Sequence, residues 1–415
     1  MRCFAVALIV LMHVFVFGCL SRAVEFRVNT TTAGNQDRPS VAIGADGQFV
    51  VTWYGMGVSD DAAYARRYNR SGIPQGDEFR VNTSSSHSYP CIAMAPDGTY
   101  IVAWSGSNVY AQRYDSSGAP LGSEFVVNTF TSAPNRLPGL SAAMDAQGNF
   151  VLAWYSYPGG EDVYARVYDS TGNPQGPEFR VNTTTADLQA YPSVAMDTDG
   201  DFVVAWRSGF SSPDVYAQRF NSLGVAQGSE FRVNTYTGGS QERASVGMDA
   251  DGNFVVAWDS SFNSNSDHYD VWAQRYDSSG VAQGDEFRVN SYTPDFQAWP
   301  EVDMDASGNF AVAFTSRSEG SSPGDLDVFV RRFSSLGAPL ETEFRVNTFT
   351  AGHQDYSTLA MNGLDHIVVA WNSDGQDGDG WGVYADIFFI PEPNTFLLLL
   401  LGAAGLGAYG WRRRT

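Results

Sequence analysis

A short motif, EFRVN or a near copy of it, recurs seven times, and this repeat limits the possible folds more than any other feature. The spacing averages about 53 residues along the 415-residue chain. Repeats of that length, each holding several short strands, are typical of β-propellers and other repeat architectures. The copies begin at Glu25, Glu78, Glu124, Glu178, Glu230, Glu286 and Glu343.

Three further segments recur between these copies, with the sequences PSVAMD, FVVAW and VYAQRY or close variants. They are rich in Val, Phe, Tyr and Trp and are bounded by Gly, Asp, Ser or Pro, which indicates strands. The four segments follow one another six times, and the seventh unit lacks the last one. We expect the N-terminal copy, 25–29, to supply that missing strand. The sequence therefore predicts an all-β, seven-bladed β-propeller with four antiparallel strands per blade, in which the N-terminal strand closes the last blade.

The second strand of each unit ends in a large aromatic residue, which we expect to be buried between neighbouring blades. These residues are Trp53, Trp104, Trp154, Trp206, Trp258, Phe314 and Trp371.

The N-terminal sequence predicts that the protein is exported. Arg2 precedes an apolar run from Phe4 to Leu20, and small residues lead to a cleavage site after Ala23. This is the pattern of a Sec signal peptide, so 1–23 are predicted to form a signal helix that is removed. Acylation of Cys19, as in a lipoprotein, is the alternative, but Phe17 fits it badly.

The C-terminus combines Pro391, Glu392 and Pro393 with an apolar stretch, 396–411, and then Arg412, Arg413 and Arg414. This order resembles the PEP-CTERM sorting signal of exported bacterial proteins. The resemblance implies Sec export, recognition by an exosortase, and a C-terminal hydrophobic helix that holds the chain in the inner membrane until cleavage. We expect a periplasmic, outer-surface or extracellular protein with a signal peptide (1–23), a propeller (24–390) and a sorting signal (391–415). Both cleavage and retention of the C-terminal segment are open at this point.

Acidic residues outnumber basic ones by 46 to 25, for a formal charge of −21, and every basic residue is Arg. This balance argues against nucleic acid as a partner, and the absence of Lys excludes Schiff-base and P-loop lysine chemistry. Cys91 is the one cysteine outside the predicted signal, so no internal disulfide is expected.

Two of the four links in each unit vary in length, and those of units five to seven are long and adjacent: 259–270, 315–327 and 372–382. We expect ligands to bind at this rim. Within it, His268, Tyr269 and Trp381 are candidates for binding a carbohydrate or protein ligand. Asp374, Asp377 and Asp379 are candidates for a Ca²⁺ site, the one cofactor considered, and a flexible acidic loop is the alternative. The segment QDGDGWGVYA also resembles repeats in large secreted bacterial proteins with calcium-binding modules.

No catalytic constellation is evident in the sequence. The histidines are scattered, a Cys91–His87 pair is better explained by a small buried residue, and the central strands read PSVAM, GLSAAM and ASVGM, with an acid only at the turn that follows. We therefore expect a surface-associated binding or adhesion module for extracellular carbohydrate or protein, without catalysis. A secreted polysaccharide hydrolase or lyase and a structural matrix component are the alternatives.

Overall fold

The computed structural model describes residues 21–22, 24–56, 61–83, 89–129, 139–156, 161–261, 268–317, 325–363 and 366–389. Seven antiparallel sheets are arranged in a ring, and their innermost strands are neighbours all the way round, with the seventh beside the first. The predicted seven-bladed propeller is confirmed.

Each blade is a meander whose strands run outward from the axis. The first strands are β3 (Gln36–Ile43), β7 (Pro90–Met94), β11 (Leu140–Met144), β15 (Gln189–Met196), β19 (Gln241–Met248), β23 (Gln297–Met304) and β27 (Gln354–Met361). The second strands are β4 (Phe49–Met56), β8 (Tyr100–Ser105), β12 (Phe150–Ser156), β16 (Phe202–Ser208), β20 (Phe254–Ser260), β24 (Phe310–Ser316) and β28 (His366–Asp374).

The third strands are β5 (Asp61–Tyr68), β9 (Val109–Tyr114), β13 (Asp162–Tyr168), β17 (Asp214–Phe220), β21 (Asp270–Tyr276), β25 (Asp327–Phe333) and β29 (Trp381–Phe389). The outermost strands are two residues long: β6 (Phe79–Arg80), β10 (Phe125–Val126), β14 (Phe179–Arg180), β18 (Phe231–Arg232), β22 (Phe287–Arg288), β26 (Phe344–Arg345) and, for the seventh blade, β2 (Phe26–Arg27). A further pair, β1 (Ser21–Arg22), lies beside the end of β29.

The N-terminal strand closes the ring as predicted. In β2, Phe26 is opposite Ala385 of β29. A second contact crosses the same seam, because the Glu25 carboxylate accepts a hydrogen bond from Thr348 N at 2.6 Å. The Glu of the EFRVN motif makes this inter-blade contact elsewhere too; Glu78, for example, accepts from Thr30 N at 2.6 Å. The repeated Glu therefore links each blade to the one before it.

The hydrophobic core consists of seven clusters, each formed by residues of two adjacent blades. The six tryptophans and Phe314 lie within them and are at most 2% exposed, which confirms the predicted packing. In four blades the indole N–H donates to a Gln at the start of the first strand. These bonds join Trp53 to Gln36, Trp206 to Gln189, Trp258 to Gln241 and Trp371 to Gln354, at 2.8–3.3 Å.

The ring has two different faces. The turns from first to second strands and from third to fourth strands lie on one side, which we call the turn face. They are uniform: Asp145 Oδ1, for example, accepts hydrogen bonds from Gln147 N and Asn149 N at 2.9 and 2.8 Å, and Gly148 has a φ of 82°. The variable links between second and third strands and between blades lie on the opposite side, the loop face.

Candidate functional site

A ring of side chains surrounds the central channel where it opens on the loop face. We call it the mouth ring. Its members lie at the start of the seven innermost strands: Arg38, Tyr89, Gly139, Tyr191, Arg243, Trp299 and Tyr356. Six of the seven are Arg, Tyr or Trp, although the positions around them are mostly small or aliphatic.

β-Bulges orient five of these side chains toward the channel. In five blades the register between first and second strands shifts at a bulge, as between Ala298 and Glu301. The bulged residue has a positive φ: Arg38 53°, Tyr191 55°, Arg243 49°, Trp299 56° and Tyr356 47°. Left-handed backbone in residues other than Gly costs of order 1–3 kcal/mol each and concentrates at functional sites. The bulges therefore mark this mouth as a candidate site.

Aromatic and guanidinium groups stack on one another along the mouth ring. The Arg38 guanidinium lies over Tyr89 at 4.1 Å and over Tyr356 at 5.0 Å. Tyr356 stacks on Trp299 with 5.0 Å between ring centroids, and Arg243 lies over the other end of this row, 5.3 Å from Trp299. Such a surface offers both flat apolar faces and cationic donors to a ligand.

The mouth ring opens into a central cavity of about 820 Å³. Besides Glu242, which pairs with Arg207 at 3.8 Å, two carboxylates line this cavity. Both belong to the sixth blade, whose first strand reads PEVDM, with Glu301 and Asp303 two and four residues beyond Trp299. Glu301 Oε2 accepts a hydrogen bond from Ser245 Oγ at 3.0 Å. Asp303 accepts from Met361 N and Met304 N, both at 2.8 Å. The expectation that the central strands carry acids only at their turns is therefore wrong for this blade.

The surroundings of both carboxylates favour their neutral forms. Glu301 is accessible from the channel, yet protein atoms surround it, and this desolvation raises its pKa to about 7; the charge of Asp303 adds to the rise. Burial raises the pKa of Asp303 to about 7 as well, against two backbone N–H donors that favour the charged form. The pair can therefore hold or release a proton near neutral pH, as acid–base chemistry requires.

Further acidic residues lie beside members of the mouth ring without lining the cavity. Asp259 Oδ2 accepts from Arg243 Nη1 at 2.9 Å, and burial raises the pKa of Asp259 despite that contact. Beside Arg38, burial raises the pKa of Asp37 to about 6 and that of Asp355 to about 7. The positive charge of Arg38 opposes the rise in pKa of both acids, while its guanidinium stacks on rings at the opening.

The three predicted calcium ligands lie in or beside the loop that joins β28 and β29. Asp377 Oδ1 accepts from Asp379 N at 3.2 Å, and Asp379 Oδ2 accepts from Gly34 N at 3.3 Å. Asp374 is at the end of β28, opposite Trp381. Within the described ranges, no group of three or more His, Cys, Asp or Glu side chains is placed to hold a metal ion. The calcium site at this loop stays a prediction.

Of the three predicted ligand-binding residues, Tyr269 lies nearest the mouth ring. Its ring packs on Phe296 with 5.8 Å between centroids, and Phe296 in turn packs on Trp299 at 5.4 Å. His268 precedes it and is exposed. Trp381 is half-buried and does not line the central cavity. The structure thus brings one predicted residue to the edge of a site whose centre the sequence analysis did not identify.

Several sequence predictions fall outside the described residues. These include the cleavage site at Ala23, the middle of two long loops (262–267 and 318–324), and the residues Pro391, Glu392, Pro393, Arg412, Arg413 and Arg414. In the part of the chain that is described, we find no helix with the length and apolar character needed to cross a membrane.

Comparisons with known proteins support the sorting signal and the fold. The PEP-CTERM protein-sorting motif matches 389–414, so this is an exported protein with a C-terminal segment for exosortase processing. No curated protein matches the sequence significantly.

Several solved structures share the fold at low sequence identity. A protein of unknown function from Dyadobacter fermentans DSM 18053 has a TM-score of 0.54 at 11% identity, over 89% of this chain and 99% of that one. The polysaccharide lyase Uly1 has a TM-score of 0.54 at 12% identity, over 88% and 91%. An α-L-arabinanase from Penicillium chrysogenum, complexed with arabinobiose, has a TM-score of 0.50 at 14% identity, over 90% and 99%.

These neighbours correct the expectation that the protein is not an enzyme. Two of them are enzymes by their own descriptions, so a propeller of this shape does not argue against catalysis. Identities this low establish the shared fold alone. The sequence argument against an enzyme also relied on the absence of central carboxylates, and Glu301 and Asp303 remove that premise.

Proposed function

We propose that this exported propeller binds a polysaccharide at its mouth ring and cleaves it with the carboxylates below, as a hydrolase or a lyase. The observation that carries the proposal is the order of the side chains along the channel. Stacking rings lie at the opening, and two carboxylates with a pKa of about 7 lie two and four residues further along the same strand. Sugar rings bind on flat aromatic faces, and glycosidic bonds are cleaved by paired carboxylates.

Both acids lie on one strand and line the channel, which suits a pair that acts on one bond. Residues two apart on a strand project from the same face, and their Cα atoms are roughly 7 Å apart. Carboxyl groups in glycoside hydrolases are about 5–9.5 Å apart. In a hydrolase, the protonated carboxyl would donate its proton to the leaving oxygen while the ionised one takes a proton from the attacking water. In a lyase, the ionised carboxyl would instead remove the proton from the carbon next to the sugar's own carboxylate. The electron pair would form a carbon–carbon double bond as the bond to the glycosidic oxygen breaks, and the protonated carboxyl would donate its proton to that leaving oxygen.

Arg38 determines which class of polysaccharide we expect the protein to prefer. Its guanidinium is stacked between two tyrosine rings and lines the opening, and the two acids beside it, Asp37 and Asp355, have raised pKa values that favour their neutral forms. A planar guanidinium binds carboxylates and sulfates in two-point contacts. We therefore expect an anionic polysaccharide to bind more tightly than a neutral one of similar length.

The test is incubation of the purified protein with neutral and anionic polysaccharides, followed by assays of reducing ends and of the ultraviolet absorbance of unsaturated products. We expect Glu301→Gln and Asp303→Asn each to lower the cleavage rate by at least about a hundredfold while binding persists. Arg38→Lys should weaken binding of the anionic polymer by about tenfold. Unchanged cleavage by both acid variants would remove the catalytic part of the proposal, and unchanged binding by Arg38→Ala would remove the mouth ring as the binding surface.

A further inference from the structure

Both termini leave the propeller from the turn face. The third strand of every blade runs from the loop face to the turn face, so β29 reaches the turn face at Phe389. At the other terminus, Ser21 is opposite Phe389 and Arg22 is opposite Phe388. The first and last strands that the structure describes, β1 and β29, therefore meet at one point on this face.

The apolar terminal segments follow within a few residues of that point. The run 396–411 begins seven residues after Phe389, a distance that an extended chain spans in at most about 25 Å. The N-terminal apolar run ends at Leu20, directly before β1. If either segment is in a bilayer, its attachment point brings the turn face close to the lipid.

The turn face also presents apolar side chains to its surroundings. They occupy the links between third and fourth strands in five of the six blades that have such a link. They are Ile73, Leu121, Leu223, Val225, Val281 and Leu336, between 37% and 81% exposed. Single exposed apolar residues are ordinary in soluble proteins, but here they share a face with the two strand ends to which the apolar terminal segments are joined.

We propose that the turn face lies against the lipid bilayer in the membrane-anchored precursor, with these apolar side chains in contact with the membrane surface. The loop face, with the mouth ring, then points away from the membrane. A polymer can consequently reach the channel before the C-terminal segment is cleaved. This inference rests on the topology of β29 and β1 and not on any catalytic role of the channel.

The experiment uses the full chain in phosphatidylcholine vesicles that contain a brominated phosphatidylcholine as a fluorescence quencher. Cys3, Cys19 and Cys91 are replaced by Ser, and one thiol is introduced for an environment-sensitive dye. Leu336→Cys places the dye on the turn face. Phe210→Cys is the matched control, because Phe210 is 73% exposed, like Leu336 at 81%, but lies in the loop-face link between β16 and β17.

We expect the brominated lipid to reduce fluorescence at position 336 at least threefold more than at position 210. Proteolytic release of the propeller from its C-terminal segment should remove that difference. Equal quenching at both positions, or stronger quenching at position 210, would overturn the proposed orientation. No quenching at either position would overturn the lipid contact and leave the apolar side chains to a protein partner such as the processing enzyme. If Leu336→Cys fails to fold, Val281→Cys tests the same face.

Discussion

The carboxylate of Glu301 couples the candidate site to pH. Its pKa of about 7 lies well above that of a Glu in open water, because surrounding protein atoms desolvate the carboxyl although it is accessible from the channel. Folding therefore favours the protonated form. The stabilising effect is complete below the pKa of the unfolded chain and is lost as pH rises through about 7.

Glu301→Gln mimics the protonated acid and still accepts the hydrogen bond from Ser245. We expect this variant and the wild type to have the same unfolding free energy near pH 4, and the variant to be more stable at pH 8. Urea denaturation at the two pH values measures the difference. An equal difference at both values would mean that Glu301 ionises in the folded protein as it does in water.

At the scale of the strand, the sixth blade differs from the other six at the buried aromatic position. It has Phe314 where the other blades have Trp, yet it keeps the Gln that would accept the indole bond. Gln297 Oε1 is buried and has no hydrogen-bond partner among the described residues. An unsatisfied buried acceptor costs about 1–3 kcal/mol.

Phe314→Trp should therefore stabilise the protein, by about 1 kcal/mol, since an indole N–H would reach Gln297. Trp258→Phe is the reciprocal variant and should destabilise by a similar amount, because it removes the bond to Gln241. Chemical denaturation of both proteins gives the comparison. Destabilisation by Phe314→Trp would indicate that this blade has no room for the larger ring.

The strands also show what the sequence could and could not predict. Packing of the tryptophans and closure by β2 were predictable, because repeated residues in a repeated order occupy equivalent places. The mouth ring was not, because its residues differ between blades and five of them are turned toward the channel by a bulge. Glu301 and Asp303 left a detectable signal: PEVDM in the sixth unit stands where the fourth has PSVAM. Comparison of units position by position would have found it.

At the scale of the whole molecule, the ring has a uniform face and a face that carries the candidate site. Uniform hydrogen-bonded turns cover the turn face, while the strained bulges and the variable links belong to the loop face. The seven inter-blade clusters carry the core, so each blade depends on both of its neighbours. Strain at the mouth is tolerated because it lies at the ends of strands whose remaining length is fully paired.

Closure of the ring depends on contacts between residues more than 300 apart in sequence: Phe26 with Ala385, and Glu25 with Thr348. Deletion of 24–30 removes both and exposes the outer edge of β29 beyond its short pairing with β1. An exposed strand edge pairs with other chains, so we expect oligomers in size-exclusion chromatography and a lower melting temperature. Glu25→Ala removes the hydrogen bonds to Thr348 and Gln376 but keeps the strand, and it should remain monomeric, with a loss of about 1–3 kcal/mol. Glu124→Ala breaks the equivalent contact with Thr83 inside the chain, serves as the control for the Thr contact and should cost no more. A monomeric deletion variant with an unchanged melting temperature would show that six blades and an open seventh are sufficient for the fold.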